Sequence, residues 1–457
     1  MSRSSTRSFR ITGALALLLS LPAAMAAVSA QEAAELGKSL TRYGAIQAGN
    51  KEGTIPPYTG GLTTPPPGYK AGSGLYVDPF KDEKPLYSIT AANMKQYADK
   101  LPEGQKHLLR KYPDYRIDVY PTHRSSAPPD YHLEKTLENA TRAELTDGGV
   151  GIKNLVPGGI PFPIPKNGHE AMWNVALTYQ VPVREFRTKA YYNDQSGRTV
   201  MTGDGLLHAE SPFHDPKLPD AERDFIFRAE AISYAPSAAA GQRVMVMDPV
   251  DASKRDRVAY LYVPAQRRAK LAPELAYDTP NPTSAGAVTM DDSVIFLGKL
   301  DRYNFKLVGK KEMLIPYNNY RFHAEKDIGK LAKPHFINPD YLRWELHRVW
   351  VVEAELLPGK RHVYKKRVFY WDEDTWHIGM SDEYDMAGKL FRHGISVPMQ
   401  MYDHHHPWSE SFTHYDFSSN IYVMSVLLMG EPYKIDGVRK YTSRQWTPAA
   451  MEGRGVR

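Results

Sequence analysis

From Leu342 to Leu356 the chain alternates, and no other stretch limits its fold so firmly. Leu342, Trp344, Leu346, Trp350, Val352, Ala354 and Leu356 fall on one side, and the largely polar set Arg343, Glu345, His347, Val349, Val351, Glu353 and Glu355 on the other. A period of two separates these sets only on a β-strand. About fifteen residues at about 3.3 Å each span roughly 50 Å, which suits a strongly curved sheet or partial barrel with one covered side. Trp376, Ile378, Met380 and Tyr384 repeat the pattern. The apolar face can be filled by helices and side chains or by a lipid-like ligand, and periodicity leaves both open. Arg348 interrupts that face. A guanidinium out of water needs a carboxylate, carbonyls or solvent, so it either pairs with an inward acid such as Asp382 or clamps a ligand headgroup.

Alternation also marks Val181–Tyr192, Arg198–Leu207, Asp224–Tyr234, Arg243–Met247, Val258–Val263, Leu307–Ile315, Val363–Trp371, Trp376–Tyr384 and Leu390–Met401. Connections such as Asp372-Glu373-Asp374-Thr375 are too short for anything but antiparallel neighbours. Helical signals come earlier: a short start over Ala33–Ala48, a helix capped by Thr90, segments at Gly104–Lys111 and Pro129–Leu145, and a helix after Asn167 with Glu170 placed to complete the cap. Seven prolines between Ile55 and Pro85 exclude regular structure there. That arm is either a linker or a strap packed by Tyr58, Tyr69, Tyr76 and Phe80. The expected fold is α+β, a large curved antiparallel sheet forming an incomplete barrel, covered by helices from the N-terminal third. The expected divisions are a leader at 1–30, an N-terminal helix and Pro-rich arm at 31–89, and the helices plus half-barrel at 90–457.

Arg3, Arg7 and Arg10 precede an apolar run from Ile11 to Pro22 and small residues ending at Ala30, the pattern of a secretory signal peptide cleaved near Ala30, with Ala26 as the alternative. About twelve apolar residues fall short of the ~20 that span a membrane. Removing three arginines lowers the formal charge from +6 to +3, which gives no electrostatic case for nucleic acid. The chain has no cysteine. Disulfides, thiolate metal sites, iron–sulfur clusters, cysteine nucleophiles and a lipidated N-terminal cysteine are therefore excluded. A periplasmic location is expected.

For chemistry, Asp403-His404-His405-His406 with His414 and Asp416 nearby is the best metal candidate, because His404 and His406 share a face if the segment is extended. The spacing matches no helical His-Glu-x-x-His pattern, and no Gly-x-Ser-x-Gly elbow or phosphate loop occurs. A packed or solvated histidine loop is the plainer reading.

Several runs resemble the exported bacterial family labelled domain of unknown function 1329. They include Ala45-Ile46-Gln47-Ala48-Gly49-Asn50, Asp118-Val119-Tyr120-Pro121-Thr122-His123-Arg124, Pro161-Phe162-Pro163-Ile164-Pro165-Lys166-Asn167-Gly168, Tyr262-Val263-Pro264-Ala265-Gln266-Arg267-Arg268 and Trp344-Glu345-Leu346-His347-Arg348-Val349-Trp350. The family is grouped with the LolA/LolB-like lipoprotein-sorting fold. The resemblance implies an incomplete antiparallel barrel closed by helices around an apolar cavity, work as a periplasmic carrier of a lipid or other hydrophobic compound, and an outer-membrane or efflux-type transporter partner. The expected ligand-binding residues are Trp344, Leu346, Arg348, Trp350 and Trp376. No catalytic residue, metal ligand or cofactor is assigned. The alternative function is a metal-dependent enzyme using the His404–His406 cluster.

Overall fold

Residues before position 180 carry the longer helices of the chain, and the sheet dominates the remainder. The computed structural model describes residues 28–251, 255–281, 284 and 286–455, so all but the last three positions of the expected leader lie outside the described residues. Helices α1 (Glu103–Lys111), α2 (Asp130–Ala140) and α3 (Gly168–Ala176) occupy three of the segments expected. The Asn167 side chain accepts from the Glu170 N–H at 3.0 Å, while the Glu170 carboxylate reaches past the cap to the Lys166 N–H at 2.6 Å. The expected helix over 33–48 shrinks to Ala30–Ala33, capped by Ser29 and Glu32. The chain turns at Gly37 and Gly44 with φ of 84° and 88°, and at Gly44 a Cβ would collide with the Pro163 carbonyl. Only glycine allows that approach. The Thr90 helix is instead a 3-10 segment, Met94–Lys100, with Asn93 at its cap position.

The strands are β1 (Val183–Asn193), β2 (Thr199–Glu210), β3 (Phe225–Ala235), β4 (Arg243–Pro249), β5 (Val258–Val263), β6 (Arg268–Leu271), β7 (Tyr303–Pro316), β8 (Trp344–Leu356), β9 (Lys366–Asp372), β10 (Gly379–Tyr384), β11 (Leu390–Ser396), β12 (Phe412–Asp416) and β13 (Ile421–Leu427). They form two antiparallel meanders, β1 to β6 and β7 to β13, joined because β13 pairs with β1. The short pair Tyr87–Ile89 and Ile117–Val119 adjoins the start of β8, where Val119 lies parallel to Trp344. β6 and β7 do not pair, so the sheet stays open rather than closing into a barrel. Register shifts interrupt several pairs, one of them between Leu307 and Gly309 opposite β8. Bulges of this kind bend the strand that carries them.

From β8 to β12 both faces of the sheet are covered, contrary to the expectation of one solvated side, while β3 and β6 of the first meander stay partly exposed. Glu345 and His347, read as outward, are 0% and 1% exposed. One core contains Leu108 and Leu109 of α1 with Val349, Val351 and Met380. The other contains Leu133 of α2, Ala171, Met172 and Trp173 of α3, and Phe296 and Phe305 with Val352, Phe369, Trp371 and Trp376. Helices from the N-terminal third thus pack on opposite faces. The proline-rich arm is a strap: Tyr69 and Tyr76 meet Tyr402 with ring centroids 5.0 and 5.3 Å away, and Phe80 stacks on His123 at 4.1 Å.

Candidate functional site

Three of the five expected ligand-binding residues come together. The turn between β9 and β10 runs through Trp376, whose φ is +56°. That left-handed conformation is unfavourable for a bulky side chain, and it is held by the Trp376 N–H to the Asp372 carbonyl at 3.0 Å and by Thr178 Oγ1 donating to the Thr375 carbonyl at 2.6 Å. It also ends the expected strand, which begins at Gly379 instead of Trp376. The turn lays the Trp376 ring on Trp350, with centroids 5.7 Å apart and planes at 13°. Trp371 is the register partner of Trp350. Gly379 lies beneath its indole, where a Cβ would come within 2.4 Å of the ring. Among the described residues, the indole N–H groups of Trp350, Trp371 and Trp376 have no acceptor.

A charged rim borders these rings. Glu373 accepts from Lys310 Nζ at 2.6 Å and from Arg348 Nη1 at 3.3 Å. Lys310 Nζ also lies 4.5 Å from the centre of the Trp350 ring. Arg124 grips Asp374 through two hydrogen bonds of 2.8 and 2.7 Å. Burial, followed by the negative charge of Asp374, pushes Asp372 above the ordinary carboxylate range. Arg348 therefore meets Glu373 and the Ala48 carbonyl, and the suggested Asp382 partnership does not form. The register explains this: Asp382 shares a row with Glu353, Val368 and His393, so it points to the opposite face. There it accepts the Glu103 and Gly104 N–H groups of α1 and a ring nitrogen of His393. Trp344 and Leu346 belong to the core on α1's side, with Ile117 and Val119. A long strand twists along its length, so equal parity at its two ends does not ensure equal surroundings.

A second polar centre is not apparent in the sequence. Across β9, β10, β11 and β12, the register aligns Arg367, Glu383, Arg392 and Asp416 in one row. Asp291 and Asp292 descend on it from the preceding loop, and Arg367 donates to both, at 3.2 and 2.8 Å. His414 lies one row away, opposite Gly394. Burial opposes the charge on Asp291, yet Arg367, His362 and Thr289 outweigh it and hold the carboxyl below its usual range. Burial and then the Asp292 charge push Glu383 upward. The charges stand in the sequence at alternate strand positions; that they are buried cannot be read without the pairing.

His404 and His406 do not form a ligand pair. His405 between them has φ of +54°. His404 stands near Asp403 and Asp436, each at 3.5 Å, while His406 is buried against Tyr179 and Tyr433. The groups of three metal-capable side chains among the described residues are Asp292, Glu383 and His414, which keeps only His414 of the candidates named in the sequence, and His347, Asp372 and Asp374. Small clefts lie near Phe80 and Arg343 and near Tyr317 and Met399, away from the tryptophans. No helix among the described residues is long and apolar enough to cross a membrane.

A family model described as "Protein of unknown function (DUF1329)" matches residues 88–452. An uncharacterized protein of Pseudomonas aeruginosa, PA3922, is 40% identical over 453 residues, covering 98% of each chain. Among solved structures, a DUF1329 family protein from Desulfovibrio piger is 12% identical with a TM-score of 0.42, covering 62% of this chain and 97% of that one. A putative outer membrane lipoprotein-sorting protein domain from Vibrio parahaemolyticus gives the same four figures. A LolA superfamily protein from Nitrosomonas europaea is 8% identical with a TM-score of 0.36, covering 63% of this chain and all of that one.

Proposed function

The chain belongs to the DUF1329 family, and on that premise we propose that it is a periplasmic binding or carrier protein for a lipid or other hydrophobic compound, acting without catalysis. The observation that carries this reading is the set of indole donors at the centre of an aromatic layer. Trp350, Trp371 and Trp376 place three buried N–H groups without acceptors among the described residues. An unsatisfied buried donor costs about 1–3 kcal/mol, and an ester or carboxyl oxygen of an amphiphile removes that cost. Its tail gains about 0.8 kcal/mol per methylene transferred from water. Arg348 and Lys310 at the rim suit the headgroup.

Trp350 is only partly buried and marks the access point. The side chains of α3 with Phe296 and Phe305 fill the rest of this layer, so uptake requires that cover to shift. Arg348, Trp350 and Trp376 form the binding centre in this reading; Trp344 and Leu346 contribute to the neighbouring core. An outer-membrane or transporter protein is the partner that would deliver or accept such cargo, with the strap at residues 55–85 as its docking element.

Solvent extraction of the purified protein followed by mass spectrometry tests the proposal. A copurified amphiphile near one equivalent is expected. Absence of copurified lipid, together with no binding of fatty acids, sterols or phospholipids, would overturn it.

A further inference from the structure

We propose that Asp292, Glu383 and His414 form a binding site for a divalent transition metal, zinc or manganese, which pins the loop before β7 onto β10 and β12. One ligand atom from each residue lies within 4.8 Å of the others, and all three side chains are buried. Three observations beyond the clustering support a ligand there.

The first is the state of the donors. Among the described residues, neither carboxylate oxygen of Glu383 and neither ring nitrogen of His414 has a hydrogen-bond partner, although both residues are 0% exposed. A buried carboxyl whose one cation contact among the described residues is Arg367 at 4.0 Å, and an imidazole beside it, both without hydrogen bonds, are costly unless something binds them.

The second concerns the nearby guanidinium groups, which are engaged elsewhere. Arg367 donates to Asp291, Asp292 and the Ile295 carbonyl, and its closest approach to Glu383 is 4.0 Å. Its Nε–H has no partner. Arg392 donates to Asp416, to the Tyr364 hydroxyl and to the Gly286 carbonyl.

The third is the charge balance. His362 accepts the Tyr364 N–H at Nδ1 and turns Nε2 to Asp291, as a neutral imidazole does. The four carboxyl groups of Asp291, Asp292, Glu383 and Asp416 thus gather around two guanidinium groups, those of Arg367 and Arg392, an excess of acids that a divalent cation would offset. The other triad differs on this point: around His347, Asp372 and Asp374, the acids Glu345, Asp372, Glu373 and Asp374 are matched by Arg124, Arg343, Arg348 and Lys310.

The packing keeps room for the ligands. At Gly394 a Cβ would come within 2.5 Å of His414 Nε2, so glycine lets the imidazole lie over the β11 backbone. Two carboxylates and an imidazole form a mixed oxygen and nitrogen set, which suits zinc or manganese better than calcium, whose sites are built from oxygen ligands. Three residues fill a four-coordinate shell only if one carboxylate binds through both oxygens or a water is enclosed, and the burial of all three fits a structural ion.

The test uses the full mature protein purified without chelator from medium supplemented with zinc and manganese chlorides. Elemental analysis should find about one equivalent of one of these metals in the wild type, and Glu383→Gln should lower affinity roughly tenfold or more. Chelator-stripped wild type should regain its melting temperature on adding the metal chloride, with no such response from Glu383→Gln. As a check that needs no variant, cobalt(II) added to the stripped wild type should give visible absorption bands of a nitrogen- and oxygen-ligated ion. Substoichiometric metal with no thermal response and no cobalt bands would overturn the proposal. Wild-type metal content in both Glu383→Gln and His414→Gln would also overturn it, because the ion would then be bound elsewhere.

Discussion

Trp376 stacks on Trp350 with ring centroids 5.7 Å apart, although its own backbone is in the left-handed region at φ +56°. The aromatic contact and the turn hydrogen bonds together offset a backbone cost of about 1–3 kcal/mol. The two rings should therefore respond differently to substitution. Trp376→Ala removes a fully buried indole and is expected to destabilise by about 3–5 kcal/mol in urea unfolding. Trp350→Phe keeps the stack but deletes one orphan N–H. It should change stability by less than about 1.5 kcal/mol while lowering the amount of copurified amphiphile. Equal lipid recovery from wild type and Trp350→Phe would detach the indole donor from binding.

Asp382 supplies the cap that α1 lacks. Pro102 sits at the cap position and offers no side-chain hydrogen bond, so the first N–H groups turn to a carboxylate on β10, at 2.8 and 2.9 Å. Asp382→Ala should cost about 3 kcal/mol, combining a lost cap with a His393 Nδ1 left without its partner, while Nε2 keeps Gln105. Gly104→Ala should also destabilise, because the added Cβ would come within 2.1 Å of the His393 ring. Chemical denaturation of both variants, with hydrogen exchange across residues 103–111, checks whether α1 detaches first.

Acid should weaken the fold well before most carboxylates protonate. Burial lowers His132 to about 3, and His323 and His377 to about 4, with Arg184 adding to the effect at His377. A histidine depressed in the folded state contributes stability that is complete above its unfolded value near 6.5 and is lost as pH falls toward the folded value. At pH 5 each of the three should have lost about 2 kcal/mol. Asp372 works in the opposite direction, since a raised carboxyl favours folding at low pH and loses that contribution as pH rises. Glu383, also raised by burial, acts like Asp372, but burial lowers His214, His406 and His414 as well, and the six histidines outweigh the two carboxyls, so urea midpoints should fall from pH 7 to pH 5. His377→Gln should flatten that slope; a profile identical to wild type would mean that His377 is not held neutral.

The parts of this molecule that depend on near neighbours are legible in the sequence. Asn167 and Glu170 mark the start of α3 from a spacing of three residues, and alternation locates most strands because a half-buried strand repeats every two residues. β13 is absent from the strands expected, and with it the join between the two meanders. Its signal is nonetheless present, since Ile421-Tyr422-Val423-Met424-Ser425-Val426-Leu427 is a β-branched and aromatic run between turns. What stays hidden depends on pairing between distant strands. Asp416 is named in the sequence only as a neighbour of the His404–His406 cluster, and Arg367, Glu383 and Arg392 draw no notice until the register places all four in one row beneath Asp291 and Asp292. The partner of Arg348 is hidden for the same reason, because Glu373 approaches it only once the turn after β9 has folded back.

The proline-rich strap gives a prediction that separates packing from docking. Tyr402 gathers Tyr69, Tyr76 and Tyr320 around its ring, and its hydroxyl accepts the Val77 N–H at 3.0 Å. Residues 55–85 have almost no regular backbone ladder, so these side-chain contacts carry most of the strap's order. Tyr402→Ala should therefore loosen the strap locally, with proteolytic cleavage between Leu62 and Lys84 rising on the order of tenfold or more, as expected when a segment opens independently of the global fold. Global stability should fall by about 3–5 kcal/mol, the ordinary result of truncating a buried aromatic residue. If partner capture survives in Tyr402→Ala and is lost only when residues 55–85 are deleted, the strap docks as a flexible segment. Loss in both would mean that its packed shape is what the partner reads. Unchanged cleavage in Tyr402→Ala would show that the backbone ties from Leu62 to Ser125 and from Tyr433 to Gly74, both at 2.9 Å, hold the strap without the aromatic cluster.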